Sequence, residues 1–557
     1  MKAVTARGAP ALGRALPRAM PGKASAVWPY ALIGLLVGLH LTMALWRGIN
    51  WDEFWFYNQV QVVARGEWIQ PLQTIHTRAL IWLSSLPGNS IEHIIVARMI
   101  MMAFLAVIAA GIYATAKAFT DHRTALLSVA VYLGAGFVLQ HATSFRVDPI
   151  VTAFLTAALA IAARTRLRWP SMLALGALIG MAAMVTIKMV LWVPVFAGIA
   201  LWRWHDVDFD RTYPLRWVAA ALVSAIMFAA LYTLHSSGAS PQANASATNT
   251  LSFAGGKMFG LLHSPYLAML GKAAAISIPL ALAALLAPPT VMRLQLPLGK
   301  RIALLGLWVP LLTPLFYHNS APYVYVFLLP PVAIVSALAL RVLVERYGET
   351  LVMGFIALNA LAVWVVDERR VLPRQQALIE AVHKVVPEKV HYFDCCGMMG
   401  SYTKANEFLT FIGTLKYFER GHPEYVEGMA NEPVPLLIDN NRNFTALFDE
   451  GDGRKFLAED AKALGETYIR FWGDIFLAGR EIEAGKAIEW NARVPGPYTV
   501  EGALAVNGIA YSDGEVLEME RGIVSLVNLG SETARLVWGQ NPRRPQTMPP
   551  ENYWTGF

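Results

Sequence analysis

Charge is scarce in this sequence. Only 15% of its 557 residues are Asp, Glu, Lys or Arg, against 55% apolar ones, and the mean hydropathy is +0.43. A water-soluble fold of this size cannot cover its surface with so few charges, so these residues require a membrane as solvent. Acids are scarcer still in the first two thirds, where residues 1–366 hold 11 of the 39 and the other 28 follow Val366. With 26 basic residues before that point and 20 after it, the first part is net +15 and the second net −8. The basic balance therefore comes from membrane-flanking loops and offers no surface for nucleic acid. Cysteine is nearly absent too, with only Cys395 and Cys396. Neighbouring cysteines bridge one another only under strain, and no ligand spacing surrounds them, so the expectation is a pair of buried free thiols.

Long apolar runs are what the sequence has in plenty. They occur near 27–46, 94–119, 124–140, 147–163, 171–187, 189–202, 215–235, 266–287, 302–317, 322–340 and 350–366, which predicts about eleven transmembrane helices. The two runs flanking Lys188 are read as separate spans. A single helix of more than thirty residues at about 1.5 Å each would overshoot a hydrocarbon core of about 30 Å. Residues 1–26 carry Lys2, Arg7, Arg14, Arg18 and Lys23 like a signal-peptide start. The run behind them is long enough to span, so they read as an uncleaved cytoplasmic tail.

If the spans alternate, the tail and the loops bearing Arg164/Arg166/Arg168, Arg203/Arg211/Arg216, Arg293/Lys300/Arg301 and Arg341/Arg346 share one side, the cytoplasm. The opposite side then carries excursions at 47–93 and 236–265. The first, with Trp51, Phe54, Trp55, Val62, Val63, Trp68 and Trp82, reads as amphipathic interfacial helices, and the second as a loop. Residues 27–366 are thus expected as the membrane domain and 367–557 as an extracytoplasmic α/β domain. The latter is read as helix 374–386, strand 390–394, helix 403–418, strand 434–438, helix 454–464 and a β-rich end.

On this topology the outward acids of the membrane part are Asp52, Glu53, Glu67, Glu92 and Asp148. Asp52 and Glu53 follow the first span and Asp148 opens the fourth, so these three are candidate catalytic carboxylates at the mouth where a lipid head group sits. The plainer alternative is that Asp52 caps a helix and Asp148 pairs with Arg146. Cations on the same side include Arg78, Arg146, Lys188, Lys257 and Lys272, with His76, His263 and His318. Lys188, set between two apolar runs, needs a phosphate, a carboxylate or water, or else it snorkels to the surface. An anionic lipid-linked substrate suits the set: a phosphate needs fixed cations, and activating an acceptor hydroxyl needs a carboxylate base.

Several short segments carry a resemblance. Trp51-Asp52-Glu53 with its aromatic helix ending Arg65-Gly66-Glu67-Trp68, Arg146-Val147-Asp148-Pro149, the Gly176–Lys188 stretch and Phe327-Leu328-Leu329-Pro330 together resemble the GT-C superfamily over residues 27–366. Within it, the chain is similar to protein O-mannosyltransferases and lipid A aminoarabinose transferases. The resemblance implies inverting transfer from a polyprenyl-phosphate-linked sugar donor to a glycan, lipid or protein acceptor. Asp52 would be the base, Asp148 the second acidic position, and Lys188 the lysine of the family's threonine-lysine segment. Where relatives often carry Glu-Lys-Pro in the first outer loop, this chain has Ile75-His76-Thr77, so a divalent metal is an open question and His76 or Arg78 would supply the cation. Phe327 stands where the family usually has tyrosine, which leaves Tyr317, Tyr323 or Tyr325 for a hydroxyl contact. The substrate-binding set is therefore Lys188, Arg146, His76, Arg78, Lys257, His263 and Tyr323. A transporter or flippase, and an inactive binding scaffold, are the alternatives from other classes. A transporter would place polar groups through both halves of the bilayer, whereas these candidates gather at one mouth.

Overall fold

In hydrocarbon every backbone amide needs an internal partner, and apolar runs meet that demand as helices. The computed structural model describes residues 27–67, 72–237, 259–262, 264–407 and 411–554, with backbone alone at 411 and 412. The tail 1–26, most of the 236–265 excursion, Trp68, Lys257 and His263 lie outside these residues. In chain order the described membrane part comprises α1 (Trp28–Trp46), α2 (Trp51–Arg65), α3 (Ile75–Ala79), α4 (Ser90–Ala116), α5 (His122–Leu133) and α6 (Gly136–His141). Next come α7 (Val147–Arg164), α8 (Trp169–Val185), a 3-10 turn Ile187–Trp192 leading into α9 (Val193–Asp206), and α10 (Thr212–Ser236). α11 (Ala268–Ala275), α12 (Ile278–Arg293), α13 (Leu298–Trp308), α14 (Val324–Tyr347) and α15 (Glu349–Val366) complete it.

Eight of the described helical stretches are long and apolar enough to cross a membrane, or nine if the bent pair α11–α12 is one span. The expectation of about eleven is too high by this measure. α8 has only 17 residues, and the 124–140 run is broken between α5 and α6. The separation at Lys188 agrees with the sequence reading, because Thr186 is extended (φ −164°, ψ 141°) and ends α8 before the 3-10 turn begins. α8 packs on α10 through Gly176 and Gly180, where a β-carbon would come within 2.5 Å of the Ala220 carbonyl and 2.6 Å of the Ser224 carbonyl. Small residues of this kind let transmembrane backbones approach closely.

Two helix breaks share one side chain. α11 and α12 meet at a bend of 106°, and the freed backbone groups need partners inside the membrane. Asn359 of α15 supplies them: its Nδ2 donates to the carbonyls of Ile276 and Gly134, both at 3.0 Å, and its Oδ1 accepts from the Ile278 amide at 3.2 Å. The Gly136 amide donates to Ser277 Oγ at 2.9 Å. Gly136 admits no β-carbon here, since Ile276 would lie 2.4 Å from it.

Every named strand lies beyond residue 390. β1 (His391–Phe393), β2 (Thr403–Lys404) and β3 (Leu436–Ile438) pair in parallel, and β5 (Ile475–Ile482) joins β3 antiparallel. The sheet continues through β12 (Ala534–Trp538) and β7 (Gly496–Glu501) to β10 (Val516–Met519), with β4 (Tyr468–Trp472) also on β5. A second sheet runs β6 (Ala487–Ala492), β11 (Gly522–Asn528), β8 (Leu504–Val506), β9 (Ile509–Tyr511). Residues 403–418 do not form the single helix expected. Thr403–Lys404 is an edge strand, and a helix over Phe411–Arg420 follows it. Cys395 and Cys396 are buried and form no disulfide. Their loop rests on the membrane part: the Gly400 amide donates to Ser90 Oγ at 2.9 Å, and a β-carbon at Gly400 would lie 2.3 Å from the Tyr57 ring. Gln375 also clasps Ile49, its Oε1 accepting from the amide at 2.9 Å and its Nε2 donating to the carbonyl at 2.7 Å.

Candidate active site

Four helix boundaries bring the site together. Beyond α1, Asn50 caps α2 by accepting from the Glu53 amide, and Glu53 reciprocates on the Asn50 amide. That capping box places Asp52 in the first turn; the cap itself is Asn50, not Asp52. Arg146 is the extended residue just before α7 (φ −145°, ψ 168°), and Asp148 lies in that helix's first turn. The 3-10 turn after α8 presents Lys188, and Tyr323 immediately precedes α14.

Their side chains meet. Arg146 is ion-paired with Asp52 through Nη1 and lies 3.5 Å from Asp148 Oδ2 through Nε. Lys188 Nζ reaches Asp148 Oδ1 at 2.5 Å. The Arg146 guanidinium stacks 3.4 Å from the centre of the Tyr323 ring, with Lys188 Nζ 5.7 Å from the same centre. Two acids and two bases balance, and each offsets the desolvation of another. Arg146, Asp148 and Lys188 are no more than 8% exposed, while Asp52 is 14% exposed and is the member most open to the surroundings. Arg146 Nε and Asp148 Oδ2 are in ionic contact but lack an aligned hydrogen bond. A buried donor and acceptor left this way have capacity for a ligand. Tyr266 and Tyr317 stand within electrostatic range of Arg146 and Asp148 respectively.

Other candidates stand apart from this cluster. Glu53 is turned inward and fully buried, where Arg98 Nε and Nη2 donate to its two oxygens at 2.8 and 2.6 Å. His76 is enclosed by Phe56 and Phe145, with ring centres at 4.8 and 5.8 Å. Burial, with His235 nearby, pushes its pKa down to about 3, so it is neutral and does not supply the cation expected of it. Arg78 donates to the Ser237 carbonyl at 3.2 Å, at the end of α10. Lys272 lies 5.8 Å over the Phe137 ring, and the His318 carbonyl accepts from Ser264. Phe327 faces Trp192, whose Nε1 donates to its carbonyl at 3.2 Å, and Tyr325 packs on Phe137. Among the described residues no group of three His, Cys, Asp or Glu side chains is placed to hold a metal. Sequence reasoning missed Arg98 and Tyr266. Arg98 had a usable signal, as a charge within the 27-residue apolar helix α4.

No known protein family and no curated protein matches the chain in sequence. Solved structures do match in fold. One is ArnT from Cupriavidus metallidurans bound to undecaprenyl phosphate, with a TM-score of 0.54 and 12% identity, covering 76% of this chain and 95% of that one. Another is the Archaeoglobus fulgidus oligosaccharyltransferase tethered with an acceptor peptide, with a TM-score of 0.53 and 9% identity, covering 92% and 96%. The apo form of that oligosaccharyltransferase matches with a TM-score of 0.53 and 10% identity, covering 91% and 95%. The chain is therefore a polytopic helical membrane protein with a C-terminal α/β domain, and it shares its fold with ArnT and with the Archaeoglobus fulgidus oligosaccharyltransferase.

Proposed function

We propose that this chain is an inverting glycosyltransferase that moves a sugar from a polyprenyl-phosphate donor to a glycan, lipid or protein acceptor at the outer face of the cytoplasmic membrane. The observation that carries the reading is the Asp52–Arg146–Asp148–Lys188 cluster, lying where successive spans end on the side away from the basic loops, within a GT-C-like fold. The undecaprenyl phosphate named for ArnT lends the donor class support by analogy. Arg146 and Lys188 would bind the donor phosphate and stabilise the negative charge growing on it as the anomeric C–O bond breaks. Arg146 then trades part of its hold on Asp52 for the phosphate. Asp52, freed and partly exposed, takes the acceptor hydroxyl proton as that oxygen attacks the anomeric carbon opposite the leaving phosphate, which inverts its configuration. Residues 27–366 would house this chemistry and 367–557 would guide acceptors to it. Clustering at one mouth favours transfer over a transport pathway, whose polar groups would extend through the bilayer.

The test is mass analysis of envelope glycans and polyprenyl-phosphate sugars from cells with and without the protein. One glycan should lose a sugar as a polyprenyl-phosphate sugar accumulates; identical profiles would reject the reading. Orientation has its own check: impermeant reagents in intact cells should label a cysteine placed near Glu424 and leave cysteines near Arg166 and Arg301 unlabelled. Protection at Glu424 would remove the outer-face site.

A further inference from the structure

We propose that Glu53, held by Arg98, is a positioning residue that fixes Asp52 and Arg146 against one another; the inference rests on the reaction proposed above. Glu53 receives four groups from three parts of the chain. Its Oε1 accepts from the Asn50 amide at 3.3 Å, at the start of α2, and from Arg98 Nη2. Its Oε2 accepts from Arg98 Nε and from the Phe145 amide at 2.8 Å. Phe145 is the residue before Arg146, and Glu53 is the residue after Asp52. Of the two partners of the candidate catalytic ion pair, Asp52 thus adjoins the residue that bears this carboxylate and Arg146 adjoins a residue whose amide binds it.

Arg98 extends the bracket into a third helix end. Its Nη1 donates to the carbonyls of Ala44 and Arg47 at 3.2 and 2.7 Å, and its Nη2 to that of Gly48 at 2.9 Å. These are carbonyls at and just beyond the end of α1, which the helix itself cannot satisfy. The ends of α1, α2 and α7 are therefore tied together through one carboxylate and one guanidinium, buried to 0% and 2% exposure. Placement of reacting groups is worth a great deal: a shift of about 1 Å can cost about 10²-fold in rate. Successive residues of a helix point about 100° apart, so Asp52 faces the mouth because Glu53 is pinned inward.

The test uses the full-length protein in lipid, with Glu53→Gln and Arg98→Lys. Glu53→Gln keeps the shape but weakens the charged clasp, and kcat should fall by roughly 10- to 100-fold while affinity for polyprenyl phosphate changes by less than about threefold. Arg98→Lys keeps the charge without the planar fork and should lose less, a partial rescue that a purely packing role does not predict. Normal kcat in a folded Glu53→Gln protein, or loss of donor affinity in proportion to kcat, overturns the proposal. A readout independent of turnover is carbodiimide labelling of Asp52, which Arg146 shields. Its rate should rise several-fold in both variants, and an unchanged rate overturns the proposal even if one variant folds poorly. If the wild-type protein transfers no sugar, the reaction is rejected and the labelling still decides the positioning role.

Discussion

Asp52→Asn should slow sugar transfer by purified protein in lipid by a factor on the order of 10²–10⁴, the usual worth of a positioned general base. Asparagine keeps the size of the side chain and still offers an oxygen to the charged Arg146, so the ion pair becomes a hydrogen bond with one charged partner and the helix start is undisturbed. It cannot take a proton from an acceptor hydroxyl. Donor binding should persist or tighten, because a negative charge beside the phosphate has been removed. Turnover, donor affinity and thermal stability are to be measured together for Asp52→Asn, Glu53→Gln and Asp148→Asn. Near-normal turnover in Asp52→Asn would move the role of base to another carboxylate. Near-normal turnover in all three would remove the mechanism.

Lys188→Met should have the second large effect, on both stability and donor binding. Lys188 Nζ lies 2.5 Å from an Asp148 carboxylate that is only 1% exposed. Removing one partner of a buried pair leaves an uncompensated charge, typically at a cost of about 3–5 kcal/mol. Arg146, 3.5 Å from the other oxygen of Asp148, softens that loss. The double variant Lys188→Met/Asp148→Leu removes both charges and should recover much of the stability. It should not recover affinity for a polyprenyl-phosphate sugar, because the phosphate has lost a cation. The two readouts therefore separate structure from function: recovery of both would make Lys188 a structural charge, and recovery of stability alone supports phosphate binding.

The helical membrane part was legible because hydropathy acts over whole segments. Lys188 even marked a true break, since one helix through it would have been too long. The breaks after Leu133 and at Ile276 were not legible, because their backbone groups are satisfied by Asn359 from a distant span. At the site, Asp52, Arg146, Asp148, Lys188 and Tyr323 were all named from sequence, and the structure brings them together. Asp52 and Glu53 could not be told apart there. They are neighbours of one chemical type, and only the fold shows one turned to the mouth and the other to Arg98. His76 failed for a related reason: a histidine in an outer loop reads as a cation until the aromatic walls around it are known.

Asn359 also joins parts of the chain that are synthesised far apart in time. It lies in α15, the last of the apolar helices to leave the ribosome, yet the carbonyls it binds belong to Gly134 and Ile276, made long before. Until that final helix arrives, two interrupted helices hold unsatisfied backbone groups within the bilayer. A chain stopped short of α15 would lack that partner, and its broken helices would present bare polar backbone to hydrocarbon.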